Sequence, residues 1–343
     1  MNPHAWLLSE LPAHPNGPKV LTTFSCGGGS SMGYKRAGYD VVFANDIDPE
    51  MAWHYKRNLH PPEYRLCPIK DLADQLPPSA FGVDLLDGSP PCSTFSESGL
   101  REKAWGKKKH FREGQAAQVL DDLFFDFLDL AEKVRPRAII AENVRGMVGG
   151  QSKGYVKLIF SRLREIGYRP QLFFIDASRC GVPQRRDRVF FCAQRDDAPA
   201  RKLSILADHA PVSAIEALSD IVLTEAERVE TKPGNNDLKW WPLTVPGNSY
   251  RETRESQGGS AILWNYMKAQ GTTPVRTLTA GYGTFTHWNE CRTFAGREWI
   301  RLGSFPDDYE AKSAEVLKYI IGMSVPPKMA EVVARAVKEQ WLT

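Results

Sequence analysis

Short apolar runs alternate with helical stretches through the first 195 residues, and that rhythm confines the chain to one class of fold. Residues 19–24 (KVLTTF), 41–44 (VVFA), 83–86 (VDLL) and 138–141 (AIIA) are too short for helices and end at polar or Gly/Pro-rich segments. Those are the marks of buried strands. Residues 115–134 repeat apolar side chains at three and four (Leu120, Leu123, Phe124, Phe127, Leu128, Ala131) until Pro136 stops the helix. A further helix is expected over 155–166, with strands near 171–176 and 188–193. Strands alternating with helices predict an α/β fold with a mostly parallel sheet. Functional residues of such sheets gather beyond the carboxyl ends of the strands. Asp46, Cys92 and Glu142 fall at such ends.

Beyond residue 195 the alternation stops. Residues 195–290 are rich in Pro, Gly, Thr, Asn and Trp and predict a smaller, irregular or β-rich second domain. A short helix is expected over 297–304. Another, over 326–341, places Met329, Val332, Val333, Ala336 and Val337 on one face and should dock on the first domain. Two domains agree with a length of 343 residues.

No stretch reaches the roughly 18 apolar residues that span a bilayer. The first residues lack a basic start followed by an apolar core, so no signal peptide is expected and a cytoplasmic location is. The six cysteines (26, 67, 92, 180, 192, 291) form no CxxC pair, and the seven histidines complete no ligand pattern, so neither metal nor disulfide is expected. The net charge is only +3, yet residues 101–112 hold six basic side chains against Glu102. A local excess of that size is a candidate phosphate-binding surface.

The first strand runs into Cys26-Gly27-Gly28-Gly29-Ser30-Ser31-Met32-Gly33. Glycines there let backbone amides approach a ligand, but no register gives GxGxxG, which disfavours a dinucleotide. Asp46, ending the second strand, suits a ribose diol. Together they suggest a nucleoside-type cofactor without a pyrophosphate, or simply a tight turn with a helix cap. The third strand runs into GSPPC (88–92), where two prolines stiffen the backbone that presents Cys92.

FSCGGGS (24–30), SPPCSTFS (89–96), ENV (142–144) and QRRDR (184–188), in that order, resemble the DNA (cytosine-5)-methyltransferase family. RTFAGREWIRLGSFPD (292–307) and YIIGMSVPPKMAEVVARAV (319–337) resemble its last two blocks. The resemblance implies a Rossmann-like S-adenosylmethionine-dependent methyltransferase fold. Residues 18–194, completed by 305–343, would be the catalytic domain, 195–290 the target-recognition domain and 291–304 a hinge region. It implies methyl transfer from S-adenosyl-L-methionine to C5 of a flipped-out cytosine in double-stranded DNA, through a covalent bond from Cys92 to C6. Glu142 would serve N3 of the base and Arg188 its O2. Arg186 would be structural or a second anion contact, and Asn143 would hold the Glu142 loop. Phe24, Cys26, Gly27, Gly28, Gly29, Asp46, Ile47, Ile69, Pro91, Leu123, Ser324 and Val325 would line the cofactor pocket. Ser96, Lys107, Lys108, Lys109, Arg112 and Arg276 would meet DNA. The family pattern is departed from at Cys26, at Cys67-Pro68-Ile69, at Ser93 and at Met323.

The resemblance further implies a monomer in a bacterial cytosol or nucleoid, or in a phage-infected cell, and admits a cognate restriction enzyme as partner. Two other activities share these residues: a tRNA-acting branch, whose Cys-Phe-Thr signature Cys291-Arg292-Thr293-Phe294 does not match, and a DNA-binding protein without catalysis, against which Cys92, Glu142 and Arg188 argue.

Overall fold

Seven strands form one sheet, in the order Glu63–Leu66, Asp40–Asp46, Lys19–Thr23, Leu85–Gly88, Ala138–Val144, Asp187–Arg195, Tyr168–Asp176. They come from a computed structural model, which describes residues 2–91, 108–109, 118–119, 122–149, 153–259, 266–280 and 285–343. The chain divides into two compact units.

The sheet unit comprises Leu11–Asp176, Asp187–Ala207 and Met329–Thr343. In chain order its elements are β1 (Lys19–Thr23), α1 (Gly29–Arg36), β2 (Asp40–Asp46), α2 (Pro49–Leu59), β3 (Glu63–Leu66), α3 (Ile69–Leu72), β4 (Leu85–Gly88), a two-residue antiparallel pair β5 (Lys108–Lys109) and β6 (Gln118–Val119), α4 (Leu123–Val134), β7 (Ala138–Val144), α5 (Lys153–Glu165), β8 (Tyr168–Asp176) and β9 (Asp187–Arg195). The first five sheet strands pair in parallel, while β9 runs antiparallel to both β7 and β8. β1, β4 and most of β7 are buried on both faces, which is why they read as unbroken apolar runs.

Local chemistry fixes the helix ends. α2 starts where Asp48 accepts hydrogen bonds from the amides of Glu50 (2.8 Å) and Met51 (3.2 Å), with Pro49 in the first turn. α4 begins at Leu123, not at residue 115, because residues 118–119 are already a strand. Leu123, Phe124, Phe127, Leu128 and Ala131 turn inward as the spacing predicts and join Leu21, Phe43, Leu86, Ile139 and Phe191 in the core.

The second unit comprises Met1–Glu10, Ala177–Arg186 and Asp208–Lys328. Its elements are α6 (Ala214–Leu218), α7 (Glu225–Glu230), α8 (Asn235–Trp240), α9 (Tyr250–Ser256), β10 (Met267–Lys268), β11 (Phe285–Thr286), α10 (Gly296–Leu302) and α11 (Ala314–Met323). Residues 195–290 are irregular, as expected, but less β-rich than their composition suggests. Among the described residues they hold four short α-helices, a 3-10 turn at Trp241–Leu243 and one parallel ladder of two-residue strands. Ser213, Thr224 and Ser249 cap three of those helices, and the last two make reciprocal capping boxes with Glu227 and Glu252. A bidentate pair, Arg292 to Glu298 at 2.7 and 2.9 Å, braces the start of α10.

A last helix, α12 (Pro327–Val337), is amphipathic as expected. Within the sheet unit it packs on the α1–β2 corner: Tyr39 donates to the Ala334 carbonyl (2.8 Å) and Arg36 pairs with Glu331 (2.6 Å). Residues 195–207 also belong to the sheet unit. Trp341 Nε1 donates to the Arg201 carbonyl and Gln171 Oε1 accepts the Leu203 amide, both at 3.1 Å.

Candidate active site

The antiparallel register of β7 with β9 sets Glu142 opposite Phe190 and Val144 opposite Arg188. Glu142 and Arg188 are therefore diagonal neighbours on one face. Arg188 Nε lies 2.7 Å from Glu142 Oε1, and the side chains are only 14% and 11% exposed. The reversed strand explains how residues 46 positions apart in sequence meet: the start of β9 lies beside the end of β7. A carboxylate held in so dry a place by a guanidinium keeps a fixed orientation.

Asn143, between them in the chain, serves the neighbouring strand. Its Nδ2 donates to the Pro90 carbonyl at 3.0 Å, and its Oδ1 accepts the Val144 amide at 2.9 Å. The ENV strand is thus tied to the first residues of the proline loop. Pro90 is buried and Pro91 half-buried. Cys92 and Ser96 lie outside the described residues, as do Lys107 and Arg112, and of Lys108 and Lys109 only the strand position is described.

The glycine-rich turn closes on the end of β2. Asp46 accepts hydrogen bonds from the amides of Cys26 (2.7 Å), Ile47 (2.7 Å) and Asp48 (2.9 Å). Burial pushes its carboxyl up, and these amides pull the other way. Three bonds use most of the roughly four lone-pair directions of a carboxylate. Ser25 donates its amide to the Asn45 carbonyl at 3.0 Å, a second tie. Phe24 and Cys26 take left-handed backbone angles (φ 52° and 44°). At Gly28 (φ +92°) a Cβ would stand 2.1 Å from Leu59 Cδ1, so only glycine fits. Of the other expected cofactor residues, Ile47 is half-buried, whereas Ile69 and Leu123 are core residues, each 3% exposed. The Cys26 thiol donates to the Met51 thioether at 3.6 Å.

Asp87, on β4, belongs to none of the motifs in the sequence. It is 3% exposed. Its Oδ2 accepts the Thr22 hydroxyl and its Oδ1 the Tyr34 hydroxyl, each at 2.7 Å. Burial pushes its carboxyl up to about 7, and the charge of Glu142 acts in the same direction. The available signal was an acid inside an otherwise apolar strand.

In the second unit, Arg186 is 2% exposed and donates to the carbonyls of Leu278 (2.9 Å) and Gly322 (2.8 Å). Gly322 has no room for a side chain, since a Cβ would lie 2.1 Å from the Ala280 amide nitrogen. Ser324 and Val325 follow and are buried; Ser324 Oγ has no hydrogen-bond partner among the described residues. Arg276 is exposed, and the neighbouring Thr277 hydroxyl donates to the Arg185 carbonyl at 2.8 Å. Among the described residues no His/Cys/Asp/Glu group could hold a metal, and no helix is long and apolar enough to cross a membrane.

The model of the C-5 cytosine-specific DNA methylase family matches residues 19–339. The chain belongs to that family. It is 32% identical to the Type II methyltransferase M.FnuDI of Fusobacterium nucleatum, over 94% of each chain. It is 26% identical to M.NgoFVII of Neisseria gonorrhoeae, over 96% of this chain and 89% of the relative. Its fold matches a structure described as a DNA modification methyltransferase encoded within an E. coli prophage, with a TM-score of 0.71 and 18% identity over 95% of this chain and 99% of the other.

As a C-5 cytosine-specific methylase, the chain is an enzyme of a family built on a Rossmann-like sheet. The sheet unit unites the Glu142–Arg188 pair, the Asn143–Pro90 tie and the glycine turn held by Asp46. Arg186, Ser324 and Val325 fall in the other unit.

Proposed function

We propose that this enzyme transfers a methyl group from S-adenosyl-L-methionine to C5 of a cytosine within a specific sequence of double-stranded DNA. The observation that carries this reading is the desolvated Glu142–Arg188 pair, on the strand that Asn143 ties to the loop running into Cys92.

Features of this structure fit the methyl donor. Gly28 leaves no side chain at the turn, and Asp46 holds that turn with one lone-pair direction to spare among the described residues. Phe24, Cys26, Gly27, Gly29, Ile47 and Pro91 would complete the pocket, with Ile69 and Leu123 supporting it from the core. The donor, when bound, supplies the methyl group as an electrophile on sulfur.

The chain's own residues do the rest. The Cys92 thiolate adds to C6 of the cytosine, which makes C5 electron-rich enough to take the methyl group. Negative charge builds on the ring as the thiolate adds, and Glu142 holds a proton at N3. After methylation, C5 loses its proton to a base and the C6–S bond breaks, which frees the methylated cytosine and the Cys92 thiolate. Arg188 fixes the Glu142 carboxylate and meets the cytosine O2. Asn143 acts through the Pro90 carbonyl, keeping the nucleophile loop in register with Glu142. Arg186, with its guanidinium on two backbone carbonyls, serves as a brace. The cytosine must leave the duplex to reach these groups. Ser96, Lys107, Lys108, Lys109 and Arg112 would hold phosphates, with Arg276 on the second unit.

The test is tritium transfer from labelled donor to duplex DNA and, separately, to tRNA. Label in the C5-methyl of DNA cytosine is expected. Label in tRNA alone would overturn the DNA assignment, and binding to DNA with no transfer to either would overturn the enzymatic one. Bisulfite sequencing of a host genome expressing the chain then reads the target site.

A further inference from the structure

β4 is the strand that delivers the nucleophile loop, and it carries a buried acid. Asp87 stands opposite Thr22 on β1 and opposite Ile140 on β7. Side chains alternate along a strand, so Glu142, two residues beyond Ile140, lies on the face that Asp87 shares. The partners of Asp87 are two neutral hydroxyls, those of Thr22 and Tyr34 at 2.7 Å each. Among the described residues no lysine or arginine pairs with it. Asp46 differs: three backbone amides hold it.

We propose that Asp87 is a positioning residue that acts through Glu142: it carries a proton beneath the catalytic strand at low pH, and its ionisation places a second negative charge on the Glu142 face. This rests on the reading of Glu142 as the group that serves cytosine N3. Two carboxylates on one dry face oppose each other's charge. An ionised Asp87 therefore favours the proton that Glu142 shares with N3, and methyl transfer speeds up once Asp87 has released its own proton to solvent. The buried carboxyl, pushed up to about 7, sets that change near neutrality.

The surroundings are consistent. Tyr34 on α1 and Tyr55 on α2 both feel the Asp87 charge, and both phenols are pushed up by burial, so they stay neutral and act only as dipoles. Cys192 on β9, facing Tyr34, is likewise pushed up by burial and stays a thiol. Glu142 on β7 is the acid whose charge reaches Asp87, and it is itself paired with Arg188. Gly88, next to Asp87, has no room for a side chain, since a Cβ there would meet Phe127 at 2.5 Å and Thr23 Oγ1 at 2.7 Å.

The experiment measures kcat for methyl transfer from pH 5.5 to 9 in wild type, Asp87→Asn and Tyr34→Phe. It also follows the Asp87 carboxyl by carbon-13 NMR in wild type and Glu142→Gln. Wild type should rise by about tenfold across neutrality, the size expected of one charge acting at short range through protein. Asp87→Asn, shaped like the protonated acid, should stay flat at the low-pH level. Tyr34→Phe removes a hydrogen bond to the ionised form, so the rise should move to higher pH. An Asp87→Asn protein that keeps the rise overturns the proposal. If that variant does not fold, a Tyr34→Phe profile with an unmoved midpoint overturns it equally. The NMR arm needs no turnover: Glu142→Gln should lower the Asp87 midpoint, and an unchanged midpoint overturns the coupling. Failure to methylate any cytosine with that coupling intact counts against the function, while the pairing of Asp87 with Glu142 stands supported.

Discussion

Asn143 donates its side-chain amide to the Pro90 carbonyl at 3.0 Å. That bond links the strand bearing Glu142 to the loop that presents Cys92, two residues further on, and its removal should be felt in chemistry more than in binding. Asn143→Ala leaves the buried Pro90 carbonyl and the Val144 amide without these partners, a cost of about 1–3 kcal/mol. We expect kcat to fall by about tenfold or more while affinity for donor and duplex is kept. Steady-state kinetics together with equilibrium binding check this; loss of binding with kcat unchanged would contradict it.

Arg188→Ala should destabilise the sheet unit by about 3–5 kcal/mol, because it strands a buried Glu142 carboxylate. Glu142→Gln removes the charge and should cost less. The double variant should therefore be more stable than the sum of the two single effects predicts. Urea unfolding of all four proteins at neutral pH gives the coupling. Additive effects would mean that the 2.7 Å pair contributes nothing.

Gly28→Ala should abolish donor binding, because Leu59 occupies the space of the new methyl group and φ is +92°. Gly154→Ala is the contrast. Nothing lies within 4 Å of its Cβ, and on α5 it should stabilise by up to about 1 kcal/mol with donor affinity unchanged. Calorimetric titration with the donor distinguishes the two. Wild-type affinity in Gly28→Ala would remove the turn from the donor site.

Stability should respond to pH through two buried groups with opposite slopes. Burial pushes His287 down to about 4, and the Arg292 charge adds to this. Below about pH 6.5 the unfolded chain takes up a proton that the folded one refuses, so stability falls as pH drops toward 4. Asp87 holds its proton up to about 7 when folded, against 3.8 as its ordinary value. Folding then opposes ionisation, and stability is lost as pH rises between those values, by up to about 4 kcal/mol. Asp87→Asn should remove the second slope, making the variant gain on wild type between pH 5 and 8. Denaturant midpoints at those two pH values decide it; a constant difference would show that Asp87 does not titrate in that range.

Strands and helices of the sheet unit were legible because each is a local pattern: apolar runs at β1, β4 and β7, and three-and-four spacing along α4. Glu142 and Arg188 could be picked out by motif, but their 2.7 Å contact depends on the reversal of β9, which no local pattern encodes. From sequence, Arg186 stands between a structural role and a second anion contact, because nothing near QRRDR announces the carbonyls of Leu278 and Gly322. Asp87 was overlooked for the same reason: its hydroxyl partners come from positions 22 and 34. The short helices of 195–290 were missed because five to seven residues are too few for periodicity to stand out, although their caps at Ser213, Thr224 and Ser249 could have marked them.

Target specificity should move with the second unit. With Glu142 and Arg188 serving the cytosine as proposed, their chemistry would be the same for any target, so discrimination must come from side chains that reach flanking base pairs. Several polar residues of 231–290 are already occupied: Arg251 pairs with Glu255 at 2.9 Å, and the Thr277 hydroxyl is taken by the Arg185 carbonyl. Asn235, Gln257 and Arg276 are exposed and are better candidates for base edges. Arg276→Ala should cost about 1–3 kcal/mol of discrimination if it reads a base. If it holds a phosphate, specific and non-specific binding should weaken alike, with a shallower salt dependence. A graft should begin at residue 208, since residues 195–207 are bonded into the sheet unit through Gln171 and Trp341. Replacing 208–290 by the equivalent segment of a relative with another target should transfer the methylated site, read by bisulfite sequencing. An active chimera that keeps the original site would place recognition in the sheet unit, with the basic segment 101–112 as the first region to test.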